Sequence, residues 1–145
     1  MKKISNCVIL FVAIAMLAVA CEKTEDPIVP ESKLVGVWQA PLVANGGMMD
    51  DFRGKNLIIN ENHTATFSVL SFNNWKIEGN VLTLANYYSE GTNRHIEVLR
   101  YTIEKYADTA MLLAGTYTYV VGDSVYLEED MSGLFKRQKN TSAQQ

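Results

Sequence analysis

The sequence predicts an all-β fold, a single antiparallel up-and-down β-barrel of about eight strands, on three observations. From Lys33 to Arg137 the chain carries short apolar–polar alternations and almost no 3.6-residue periodicity. Turn-forming residues separate those alternations at short intervals. No helix-length segment falls between successive strands, so neighbours in sequence pair as a meander. A meander of this length closes or folds over to hide its edges, as a barrel or a sandwich. The Cys-Trp-Cys spacing of an immunoglobulin sandwich is absent, which favours the barrel.

The elements follow in order. Leu34 to Gln39 opens the set, and Lys55 to Asn60 and Thr64 to Leu70 flank Glu61-Asn62-His63, a hairpin loop. Asn74 to Glu78 and Val81 to Ala85 flank Gly79-Asn80, a two-residue turn whose residues tolerate positive φ. Arg94 to Lys105, Thr109 to Ala114, Thr116 to Val121 and Ser124 to Leu127 come next, with Asp108 and Gly122-Asp123 as turns, and Ser132 to Arg137 ends the set. Alternation places Ala65, Phe67 and Val69 on one face, as it does Trp75 with Ile77 and Leu82 with Leu84. Ile96 and Val98 are out of phase with Leu99, Tyr101 and Ile103, which predicts a bulge near Val98.

The first 20 residues stand apart from this domain. Met1-Lys2-Lys3 is a positive n-region, and Val8 to Ala20 is an apolar run of 13 residues. That is short of the roughly 20 residues of a membrane span but suits the core of a signal peptide. Leu17-Ala18-Val19-Ala20-Cys21 resembles a bacterial lipobox. The resemblance implies cleavage before Cys21 and acylation of its thiol and new amine, with palmitate-type chains. Plain cleavage after Ala20 would cut the same bond. Cys7 leaves with the signal peptide, so the mature domain has no cysteine pair and no thiol within its fold. Several acyl chains exceed the two signals that stable anchoring needs, so contact with the membrane is expected through the anchor alone. Residues 21–32 hold Cys21 and a polar stretch broken by Pro27 and Pro30, expected as a linker. Residues 138–145 form a polar tail. Glu22-Lys23-Thr24-Glu25-Asp26 is similar to the export signals of surface lipoproteins in one phylum of Gram-negative gut anaerobes, which implies an outer-membrane lipoprotein with its domain facing outward.

Without the first 20 residues, 11 basic groups face 16 acidic ones, a net charge of −5. Such a domain has little means of releasing counterions from phosphates, and no nucleic-acid partner is expected. Catalytic signals are sparse, and no enzyme activity, cofactor or metal is expected. His95 and Glu97 lie at i and i+2 on one strand face, offering two ligands where a metal site needs a third. Glu128-Glu129-Asp130 lacks the alternating ligand spacing of calcium loops, and Asp50-Asp51 lies on a flexible loop that holds it poorly for acid–base work. Phosphate cradle, nucleophile elbow and HExxH are absent.

Three stretches, with the chain end, resemble lipocalin-like lipoproteins of that same bacterial phylum: Leu34-Val35-Gly36-Val37-Trp38, the hairpin Asn74 to Leu84, and Tyr101 to Leu113, followed by Leu134-Phe135-Lys136-Arg137. The resemblance spans essentially all of residues 33–137. It implies a structural role for Gly36 and Trp38, the indole closing one barrel end beneath Arg137 or Lys136. It also implies that Gln39 to Gly54 is a long loop over the open end. Met48, Met49 and Phe52 on that loop read equally as an adaptable lid or as a plug.

Function follows from the interior. A barrel of eight strands either fills with side chains or holds one small ligand. The first expectation is a small hydrophobic or amphipathic ligand lined by Phe67, Trp75, Leu82, Leu84 and Tyr101 and gated by Met48, Met49 and Phe52. The second is a filled barrel that binds a protein partner, or inhibits one, through its loops and exposed tyrosines.

Overall fold

Short alternating segments need neighbours on both sides to satisfy their backbones, and the chain supplies them by curling one antiparallel sheet on itself. The computed structural model describes residues 28–43 and 46–139. It contains β1 (Gly36–Gln39), β2 (Asn56–Ile59), β3 (Ala65–Phe67), β4 (Leu70–Phe72) and β5 (Asn74–Glu78). Then come β6 (Val81–Glu90), β7 (Asn93–Ala107), β8 (Ala110–Val121), β9 (Ser124–Asp130) and β10 (Gly133–Arg137). One turn of helix, α1 (Glu31–Leu34), precedes β1, and a 3-10 turn covers Met48–Phe52.

The strand order is β4-β3-β2-β1-β10-β8-β7-β6-β5, with β9 paired to β8 beside that path. The two ends of the path, β4 and β5, are consecutive in the chain with only Asn73 between them, so the sheet forms a nearly closed barrel. Successive runs β4–β5 and β9–β10 each act as one stave with a break, so ten segments make a circuit of about eight. The second break lies at Met131-Ser132, where the Asp130 carboxylate accepts from the Ser132 amide at 2.9 Å and from its hydroxyl.

Three expected strands are drawn differently. Thr64 to Leu70 is a tight hairpin, β3 turning into β4 at Ser68-Val69, with Ser68 at φ 55°. Val69 therefore sits on a turn, 87% exposed, and does not share the buried face of Ala65 and Phe67. Thr109 to Ala114 and Thr116 to Val121 run together as β8. No bulge forms near Val98; the register shifts between Ile103 and Lys105 instead. His95, Leu99, Tyr101 and Ile103 all point inward without interruption, while Ile96 and Val98 lie on the outer face, half-covered by the strands on both sides.

The core is one cluster. Trp38, Leu57, Phe67, Leu82, Leu84, Leu99, Tyr101, Met111 and Phe135 have no exposure at all. Phe135 packs between Phe67 and Tyr101, with ring centroids 5.7 and 5.8 Å away. Part of the expected linker belongs to this unit. Val29 is buried, and the Ile28 amide donates to the Gly79 carbonyl at 2.9 Å.

Candidate functional site

The barrel has two unlike ends. At the first, α1 brings Leu34 beneath β1, and the Trp38 indole N–H donates to the Leu34 carbonyl at 2.8 Å. The Arg137 guanidinium lies over the Trp38 ring, 4.0 Å from its centroid. Its Nε donates to the Asp108 carbonyl at 2.8 Å, Nη1 to Val35 at 3.0 Å and Nη2 to Lys33. A Cβ on Gly36, whose φ is +143°, would stand 2.6 Å from Arg137 Nη1, so only glycine lets the fork reach its carbonyls. Arg137, not Lys136, is the residue over Trp38. Asp108 at this end is held below the usual carboxylate range, chiefly by its hydrogen bond from Lys33 at 3.2 Å. His63 belongs here too, stacked on Trp75 at 4.9 Å with Nδ1 3.0 Å from the Trp75 carbonyl oxygen.

Between the ends, the structure brings the expected lining together as packed core. Phe67, Leu82, Leu84 and Tyr101 have no exposure and Trp75 has 1%. Side chains with no accessible surface border neither solvent nor a void large enough for a water molecule, so this interior is filled. Met49 and Phe52 are buried and Met48 packs against the cluster, with the Phe52 ring 4.6 Å from Phe67. In this conformation they plug the barrel. Among the described residues one group in the core is unsatisfied: the Tyr101 hydroxyl has no hydrogen-bond partner, and burial pushes its pKa far up. Gly115 lies opposite Tyr101 in the β7–β8 ladder, and a Cβ there would meet Tyr101 Cδ1 at 2.6 Å. A hollow of about 300 Å³ opens elsewhere, on the outer wall between Gln39–Val43 and Leu134 with Lys136.

At the second end, β6, β7, β8 and β9 run on past the core as a projecting sheet. Inward alternation continues along it, from Leu84, Leu99 and Tyr117 to Asn86, Tyr88, His95, Glu97 and Tyr119. The Glu97 carboxylate accepts from the Tyr117 hydroxyl at 2.9 Å and from Asn86 Nδ2 at 3.0 Å. His95 Nδ1 lies 2.7 Å from the Tyr119 hydroxyl, and the His95 ring stacks on Tyr88 at 4.8 Å and 12°. Tyr126 from β9 closes on Tyr119, ring centroids 6.2 Å apart. A hydrogen bond to Tyr119 is the main reason the Tyr88 hydroxyl is pushed up to about 12; burial, then its hydrogen bond to Glu97, raises Tyr117 further.

This face gathers polar and aromatic side chains that the expected lining did not include. Tyr117 is buried in the core cluster with Tyr101, Tyr119 packs against that cluster, and Tyr88 lies beyond it, 40% exposed. The pairing of His95 with Glu97 on one face is as expected, but tyrosines surround them. Among the described residues no group of three metal-ligating side chains occurs. Nor is any described helix long and apolar enough to cross a membrane. Cys21, the expected lipid-attachment residue, lies outside the described residues.

Comparison with protein-family models, curated proteins and solved structures finds no match for this chain.

Proposed function

We propose that this protein is a lipid-anchored cell-envelope protein whose filled, lipocalin-like barrel serves as a protein-interaction module. The observation that carries the reading is the contrast between a core without exposure and a projecting sheet that displays Tyr87, Tyr88, Val125, Tyr126 and Leu127 at 38% or more. Exposed aromatic and apolar side chains in one region favour a binding surface. The lipobox at Leu17–Cys21 supports anchoring at the outer membrane, with the linker holding the barrel off the lipid. Cys21→Ala is expected to remove the acyl mass and release the protein from the membrane fraction.

A second reading, a small hydrophobic ligand within the barrel, is favoured by the Tyr101 hydroxyl. A ligand acceptor that displaced the Met49–Phe52 plug would satisfy that orphan donor. Native mass spectrometry after incubation with an envelope extract separates the two. A folded barrel without an adduct supports the interaction module; a stoichiometric small-molecule adduct released on denaturation overturns it in favour of the cavity.

A further inference from the structure

Resting on the interaction reading, we infer that β9 is a docking edge for an extended, basic polypeptide segment, which joins the projecting sheet as an added strand. β9 pairs with β8 on one side, and no described strand lies on its other side. Its central Val125, Tyr126 and Leu127 are exposed by 61, 68 and 38%. An open strand edge offers amides and carbonyls in register for another chain, and the flanking side chains select which chain.

The selection here is by charge. From Gly122 to Met131 the chain carries Asp123, Glu128, Glu129 and Asp130 and no lysine or arginine. Register puts these carboxylates on both faces. Leu127 and Glu129 stand opposite Tyr119 and Tyr117 on the aromatic face, while Glu128 and Asp130 stand opposite Thr118 and Thr116 on the other. An added strand therefore meets a carboxylate whichever way its side chains alternate. The aromatic face increases the attraction for a cation. Glu90, Glu97 and Glu129 lie on it without a lysine or arginine, since the nearby Arg94 and Arg100 occupy even, outward positions of β7. Tyr126, 68% exposed, offers a ring on which a guanidinium can stack. The same acidic run opposes pairing with a second copy, which would set like carboxylates along one edge. Ser132 holds the Asp130 carboxylate below its ordinary pKa, so its charge persists in mildly acidic surroundings.

The test uses the full chain and a fluorescein-labelled octapeptide of alternating arginine and valine, beside a glutamate–valine octapeptide. The arginine peptide is expected to raise anisotropy, to slow amide exchange in residues 124–130, and to bind less tightly as salt rises. Glu128→Gln with Glu129→Gln is expected to weaken it at least fivefold, with an unchanged melting curve as the control for folding. Equal binding of both peptides, no binding, or indifference to the double substitution overturns the docking edge. Protection confined to residues 40–54 or 60–64 overturns β9 as the site but leaves an interaction module standing. A barrel adduct in native mass spectrometry, with no peptide bound, overturns both.

Discussion

The Trp38 end and the β6–β9 projection are both rich in aromatic rings, yet they treat their polar groups in opposite ways. At the Trp38 end the two central donors reach backbone carbonyls: the indole of Trp38 to Leu34, and the Arg137 fork to Lys33, Val35 and Asp108. Those acceptors are fixed by the fold, so the side chains are committed to holding it. In the projection the polar groups bond mainly to one another, Glu97 with Tyr117 and Asn86, His95 with Tyr119. Side-chain networks of this kind can re-pair with an incoming partner without opening the barrel. The difference separates what stabilises this protein from what it can offer.

Substitutions can break or sharpen that contrast. Trp38→Ala removes a fully buried ring, its hydrogen bond and the seat of Arg137, and should cost about 3–5 kcal/mol in a urea titration. Tyr101→Phe should act in the opposite direction. Deleting an orphan hydroxyl in a filled core is expected to stabilise by about 1–2 kcal/mol, whereas a hidden partner would make the same change destabilising. Its pH dependence has a definite sign. The folded-state pKa of Tyr101 is raised, so its ionisation leaves stability unchanged below pH about 10 and lowers it as pH rises above that. The phenylalanine variant should lose less stability in alkali than the parent. The smallest effect belongs to the projection. Tyr126→Ser, at a side chain 68% exposed, should change stability by no more than about 0.5 kcal/mol while weakening any partner that stacks there.

Much of the barrel was legible because its turns use residues with one conformational meaning. Gly79-Asn80 marks the β5–β6 hairpin, and Asn74 to Glu78 is realised with the expected bounds. Ser68-Val69 is hard to read as a turn because Val69 is a strand former and the alternation runs through both residues; Ser68 takes positive φ where β3 turns into β4. Ile96 and Val98 misled for another reason. A strand between two long neighbours half-buries apolar side chains on its outer face, and in sequence that looks like a change of phase. The Trp38–Arg137 contact was recognisable only through resemblance, since its partners lie about 100 residues apart. The tyrosine face was legible in parity but not in place. Alternation tells which tyrosines share a side; the sequence does not tell where the closed barrel ends and the same face emerges into solvent.

The position of β10 has a consequence for how the barrel comes to exist. It pairs with β1 on one side and β8 on the other, so the first and last strands meet only through the final residues of the domain. A chain still emerging from synthesis, short of Gly133, has both of those edges open. Closure must bring segments about 100 residues apart together before either gains its partner, which makes folding slow and late rather than progressive. Until then no strand pairing holds the staves in a circle, and the sheet keeps two open edges.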